Sequence, residues 1–99
     1  MKDLIAPLNK AFESRIRLGI MSLLMIHDTL EFSVMKELLE VTDGNLASHV
    51  AALEKLDYLL VNKQFVGKKP NTTYFATIEG KRAFNEHLSA LEQLIKKSM

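Results

Sequence analysis

Asn45, Ser48 and His49 lie close together in the chain, with Gly44 and Ala47 beside them. Amide, hydroxyl and imidazole groups both donate and accept hydrogen bonds. On a helix kept slim by small neighbours, such a set can read base-pair edges in a major groove. Asn45 and Ser48 would serve equally well as phosphate contacts, and small polar residues also decorate helices for solubility alone. A second set is cationic. Between residues 61 and 82, Lys63, Lys68, Lys69, Lys81 and Arg82 are set against one acid, Glu79. Duplex nucleic acid is held first through its phosphates, which require cations and amide donors along one surface. Lys68 and Lys69 sit among Gly67, Pro70 and Asn71. A tight turn needs those three residue types, but it does not need a charge pair. Either the lysines are ordinary solvated tip residues, or the tip meets a polyanion.

Other chemistry finds little to work with. His27 and His87 have no second ligand at a useful spacing, so no metal is expected. Met21, Met25 and Met35 read as core filler. The sequence has no phosphate-cradling glycine loop, nucleophile elbow or paired carboxylate in a plausible pocket. Neither an enzyme nor a cofactor is expected. The absence of cysteine excludes disulfides and thiolate chemistry, and fits a reducing compartment.

The elements that must position these residues follow from periodicity. The 99 residues suit one domain, 47% hydrophobic and 25% charged, a globular composition. With a net charge of +1, only the distribution of charge can point to a partner. Leu4, Ile5, Leu8, Ala11 and Phe12 predict a first helix over about 3–12, with Pro7 in its first turn or kinking it. Ser14 is a plausible cap for a helix over about 15–27, apolar around most of its circumference and so expected at the centre of the core. Its run from Leu18 to Ile26 is too short to span a bilayer. Glu13, Arg15 and Arg17 precede that run and no small-residue cleavage site follows it, so a cytoplasmic protein with no membrane partner is expected. Arg15 and Arg17 can reach a phosphate or pair with an acid such as Glu13.

Phe32 reads as an anchor in a short extended piece. Ser33 then caps a short helix over 34–40 that is expected to bury Val34 and Leu38, with Met35 a further candidate. After a turn at 40–42, Thr42 caps a helix over 43–56 with an apolar stripe of Leu46, Val50, Leu53 and Leu56. Its opposite face carries Asn45, Ser48, His49, Ala52 and Lys55. Two short helices so joined, the second polar and slim outside, outline a helix-turn-helix. The period then changes. Strands over 59–66 and 73–78 are predicted from β-branched and aromatic residues, joined by a loop of about six residues. Thr77 or Glu79 starts a last helix to about residue 97, with Phe84, Leu88, Leu91 and Ile95 as its stripe and Leu94 widening it.

The stretches "ESRIRLGIMSLL", "FSVMKELLEVTDGNLASHVAALEKLDYL" and "FVGKKPNTTYFATIEGKRAF" together resemble the winged helix-turn-helix regulators of the MarR and ArsR type, in particular their compact members. The last stretch is the most specific, a wing of Gly-Lys-Lys-Pro followed by Thr-Thr-Tyr and Thr-x-x-Gly-Lys-Arg. The resemblance implies a mainly α, α+β fold. One domain would span 1–99: an N-terminal helix (1–13), a winged-helix core (14–78) and a C-terminal helix (79–99). It implies double-stranded DNA as partner. Asn45, Ser48 and His49 would contact bases. Thr42, Lys55, Lys63, Lys68, Lys69, Asn71, Thr72 and Arg82 would contact the backbone. The sequence departs from the family at Asp57, where relatives commonly place Gly; positive φ is expected there, which Asp tolerates less well. The cysteines of the ArsR metal site are absent, so metal sensing is not implied.

The flanking helices keep apolar stripes once the core is built. Leu4, Leu8, Phe12, Phe84, Leu88, Leu91 and Ile95 can pack together within one chain or across a two-fold axis. Related regulators dimerise this way, and the resemblance implies a homodimer. An effector held in the dimer cleft would be unnamed by the sequence. The alternative function is a winged-helix module for protein–protein interaction without strong DNA binding.

Overall fold

Helix α1 (Arg15–Ile26) forms the centre of the computed structural model, which describes residues 3–97. Ser14 Oγ accepts the Arg17 N–H at 3.3 Å, one of the amide donors a helix start leaves without an internal partner. Ile20, Met21 and Leu24 are fully buried, and other apolar positions of α1 pack partly buried around them. Strand β1 (Leu30–Glu31), helices α2 (Phe32–Leu39) and α3 (Asp43–Lys55), the hairpin β2 (Leu59–Val66) and β3 (Lys69–Ala76), and helix α4 (Ile78–Lys97) follow. The sheet is antiparallel in the order β1-β3-β2.

The N-terminal segment is not the predicted helix over 3–12. Its described residues form turns and end in a short 3-10 helix, Lys10–Glu13. Asp3 Oδ1 accepts the N–H groups of Ile5 and Ala6, and Asn9 Oδ1 accepts that of Ala11. Asx turns of this kind compete with a continuous helix, and Pro7 removes a further donor. The segment is pinned to the body instead. His87 Nδ1 of α4 accepts the Asn9 N–H at 3.0 Å, and Asn9 Nδ2 donates to Tyr58 Oη at 3.0 Å. Phe12 stacks on Tyr58 and meets Phe84 edge-on, with ring centroids 5.4 Å apart in the second pair.

Helix α2 starts earlier and has a different phase from the predicted one. Glu31, not Ser33, precedes it, with no side-chain cap bond. Met35 is fully buried, whereas Val34 and Leu38 are exposed. The cause is β1, whose Leu30 pairs with Tyr74 and Glu31 with Thr73. That pairing fixes the entry of α2, and Phe32 then packs against Tyr74 at 6.2 Å.

Helices α2 and α3 both close through a left-handed residue without being glycine there: Glu40 (φ 53°) and Asp57 (φ 61°). The Val41 N–H donates to Lys36 O and the Tyr58 N–H to Leu53 O, the long bond of a Schellman closure in each case. The conformation expected at Asp57 is therefore present. Glu40 shares it, and nothing in its residue type signals that.

Thr77 caps α4, its Oγ1 accepting the Gly80 N–H at 2.9 Å and donating to Asp57 O at 2.6 Å. A Cβ on Gly80 would lie 2.0 Å from Tyr58 O. The Thr-x-x-Gly motif thus seats the start of α4 against the corner after α3. From there α4 turns Phe84, His87 and Ala90 inward. Phe84 and Phe12, expected at a dimer interface, belong to this chain's own core. Leu88 and Ile95 are exposed on the same helix. The molecule measures 59 × 25 × 21 Å, with a radius of gyration of 15.2 Å. A compact chain of this length would give about 13 Å.

Candidate nucleic-acid interface

Helix α3 buries Leu46, Val50 and Leu53. The opposite line, Gly44, Ser48, Ala51 and Lys55, recurs at steps of four, three and four and is exposed throughout. Three of the four side chains are small, so the helix crest is narrow. Thr42 Oγ1 accepts the Asn45 N–H at 3.2 Å and sets the helix start. Lys36 of α2 pairs with Asp43 at 3.0 Å. Both are exposed, so the pair contributes little to stability.

On one side of this crest lie Asn45 and His49, facing α1. Arg15 lines a hollow with Thr42 and Asn45. The Arg17 Nε–H donates to His49 Nδ1 at 3.1 Å. Both arginines therefore stand beside α3, a placement that their own sequence spacing left open. The signal was available only in combination: Ser14 starts α1 one turn before its buried face, which crosses α3 and brings the first turn of α1 to that flank.

On the other side lies the hairpin. Ala47, Ala51 and Glu54 of α3 face Val61, Lys63 and Tyr74 across a trough of about 170 Å³. Lys63 pairs across the hairpin with Thr72, and Phe65 with Pro70, so by alternation these share the face turned toward α3. Burial and the charge of Glu54 raise the Tyr74 pKa above its ordinary value of 10.0. Its hydroxyl thus stays protonated, a neutral donor and acceptor at the trough.

The predicted six-residue loop is absent, because β2 and β3 continue to Val66 and Lys69, joined by Gly67 and Lys68 alone. Gly67 has φ +67°, the conformation that a two-residue type II′ turn requires at its first central position. Pro70 is tolerated within β3 because β1 reaches only Thr73 and Tyr74. Near the tip β3 has a strand on one side alone, so the missing N–H can face the open side. Lys68 and Lys69 are exposed at the end of this stiff finger.

Two expected backbone contacts are placed elsewhere. Asn71 pairs with Gln64 and lines a hollow with Thr29, Glu31 and Val34, on the sheet face turned away from α3. Arg82 lies 3.4 Å from Glu79. With Lys81 it lines a groove between α4 and Leu4 and Pro7 of the N-terminal segment. The cationic excess read between residues 61 and 82 is thus divided over two surfaces, since Thr77 turns the chain away from the hairpin. The trough and the finger keep Lys63, Lys68 and Lys69. Among the described residues, no helix is long and apolar enough to cross a membrane.

A family model described as "Winged helix DNA-binding domain" matches residues 16–95. An uncharacterized protein of Methanocaldococcus jannaschii is 33% identical over 87 residues, spanning 88% of this chain and 95% of its own. The structure of a transcriptional regulator homologue from Pyrococcus horikoshii OT3 superposes with a TM-score of 0.76 at 30% identity, covering 89% of this chain and 92% of that one. Bacillus subtilis PadR, solved in complex with operator DNA, shares the fold at a TM-score of 0.67 and 14% identity, over 76% of this chain and 47% of its own.

Proposed function

Because this chain belongs to the winged helix DNA-binding domain family, we propose that it is a transcriptional regulator that binds duplex DNA sequence-specifically as a homodimer. One observation carries the reading: the narrow crest of α3, uncharged until Lys55 in its last turn, lies between two cationic flanks. Arg15 and Arg17 stand on one side and Lys63 on the other, with Lys68 and Lys69 extending that second side at the finger tip. A helix entering a major groove has a phosphate strand on each side, and these flanks are where the phosphates would lie. Asn45, Ser48 and His49 then meet base edges. Thr42 and Lys55 hold backbone at the two ends of α3, and Thr72 supports Lys63. That PadR was solved with operator DNA agrees with this use of the fold.

The dimer is proposed from the apolar residues that α4 leaves at its surface. Leu88 and Ile95 are exposed, at 45% and 59%, while Leu91 is half-buried, as are Leu4 and Leu8 in the N-terminal segment. With Phe12 and Phe84 inside the core, these five residues are the proposed contact with a second copy. A two-fold pair would set two α3 helices about 34 Å apart, one turn of duplex. Selection of bound sites from random duplexes tests the reading. An inverted repeat with half-sites one turn apart is expected. Recovery of unrelated sequences would refute specific recognition. Sedimentation of Leu88→Glu/Ile95→Glu as a monomer is the matching result for the interface, and an unchanged dimer would exclude it.

A further inference from the structure

Arg17 and His49 join the central helix to the helix that carries the crest, and their hydrogen bond has only one chemical reading. An arginine guanidinium has five N–H donors and no acceptor. When Arg17 Nε donates to His49 Nδ1 at 3.1 Å, that nitrogen must supply a lone pair. In a neutral imidazole the single proton then resides on Nε2, at the ring edge turned away from Arg17. His49 is half-buried and Arg17 likewise, so the pair is sheltered but the ring keeps an open side.

From this geometry we infer that Arg17 is a positioning residue that locks His49 as a hydrogen-bond donor on the DNA-facing surface of α3, so that the base pair beneath it is chosen for an acceptor edge. This rests on the regulator reading above. Among major-groove edges, guanine offers two adjacent acceptors, N7 and O6, and thymine offers O4, whereas cytosine offers only the N4 amine, a donor. The expected preference at that position is guanine first, with cytosine rejected. A histidine free to change tautomer would present either a donor or an acceptor and would discriminate poorly between them. Asn45, its neighbour on the same flank, has an amide that offers both, so His49 is the side chain through which Arg17 imposes a polarity.

The test has two arms. In the first, ¹⁵N NMR of the full chain in the absence of DNA at pH 8 reports the His49 tautomer. Nδ1 is expected at the frequency of an unprotonated ring nitrogen and Nε2 at that of a protonated one. Arg17→Ala should move both toward the averaged values of an exchanging ring, and Arg17→Lys, which retains a donor, should restore them. A proton found on Nδ1, or a spectrum unchanged in Arg17→Ala, would overturn the inference.

In the second arm, selected sites are compared between the native chain and the variants. His49→Ala identifies the base pair concerned. Cytosine there should weaken native binding about tenfold, the scale of one good base contact. In Arg17→Ala the difference should shrink to about twofold or less, and Arg17→Lys should restore it. Only relative preference is read, because loss of the Arg17 charge weakens binding to every sequence. A preference that Arg17→Ala leaves intact would also overturn the inference. A chain that binds no duplex at all would overturn the regulator reading and the base readout together, and the NMR arm would still decide the tautomer.

Discussion

Gly80→Ala should destabilise the fold, although alanine is the better helix former. A Cβ at residue 80 would lie 2.0 Å from Tyr58 O and 2.8 Å from Tyr58 C, both backbone atoms. No rotamer change relieves that contact, so α4 must retreat from the corner by an ångström or more. Two bonds span the gap: Thr77 N–H to Tyr58 O at 3.0 Å and Thr77 Oγ1 to Asp57 O at 2.6 Å. Each is worth about 1 kcal/mol net, and forced overpacking in its place costs about 1–3 kcal/mol. Against this stands a gain of roughly 0.5–1 kcal/mol from replacing a helical glycine. The net loss is about 1–2 kcal/mol, which in a domain of this size lowers Tm by roughly 5–10 °C. Thermal unfolding followed by circular dichroism, at one fixed chain concentration, reads this directly. Gly44→Ala is the control, because nothing lies within 4 Å of its added Cβ; it should raise Tm by a few degrees through the same propensity gain. If Gly80→Ala matches Gly44→Ala, the seating of α4 on the Asp57–Tyr58 corner is wrong.

The left-handed residues supply a second prediction: Asp57→Gly and Glu40→Gly should each stabilise by about 1 kcal/mol, additively in urea unfolding. A loss at either position would show that its side chain does something the backbone angle does not reveal. His87→Leu leaves the part-buried Asn9 N–H without its acceptor, at a cost of about 1 kcal/mol; hydrogen exchange should quicken at residues 9–12 while α3 stays protected, and unchanged exchange there would contradict the pinning of the N-terminal segment by His87. Because the Tyr74 pKa is raised in the fold, its contribution is complete below about pH 10 and is lost as pH rises further. Tyr74→Phe should therefore flatten the alkaline arm of the stability curve. Asn45→Ala should alter which sequences are selected without changing the salt dependence of binding; a changed slope with unchanged selection would make Asn45 a phosphate contact.

The parts legible in the sequence are those where one local signal dominates. The stripe of Leu46, Val50 and Leu53 specifies the inner face of α3, and with it the outward face that carries Ser48; Leu56, expected in the same stripe, instead follows the helix end and is exposed. Ser14, Thr42 and Thr77 each mark a helix start through a short-range bond to the backbone. The β-branched and aromatic run over 59–66 specifies β2. The parts that were not legible depend on contacts distant in sequence. The apolar spacing of residues 4–12 suits a helix, but Asp3, Pro7 and Asn9 divide it and His87 holds it from 78 residues away. The phase of α2 is decided by pairing between Glu31 and Thr73, which moves Val34 out and Met35 in. The stripe of α4 at Phe84, Leu88, Leu91 and Ile95 conceals a rotation, because Gly80 and His87 draw the helix onto the body along a different line. Lys81 and Arg82 are adjacent to the hairpin in sequence but follow α4 onto another surface. Arg15 and Arg17 reach α3 only because α1 crosses it.

The central claim is that Lys63, Lys68 and Lys69, and not Lys81 and Arg82, lie along a duplex. It is tested by titrating salt against duplex affinity for the native chain, for Lys63→Ala/Lys68→Ala/Lys69→Ala, and for Lys81→Ala/Arg82→Ala. Each phosphate contact contributes about 0.9 to the slope of log affinity against log salt. The hairpin variant should therefore lose about two to three units of slope per chain, and the α4 variant almost none. Equal losses in the two variants, or a native slope near zero, would contradict the account.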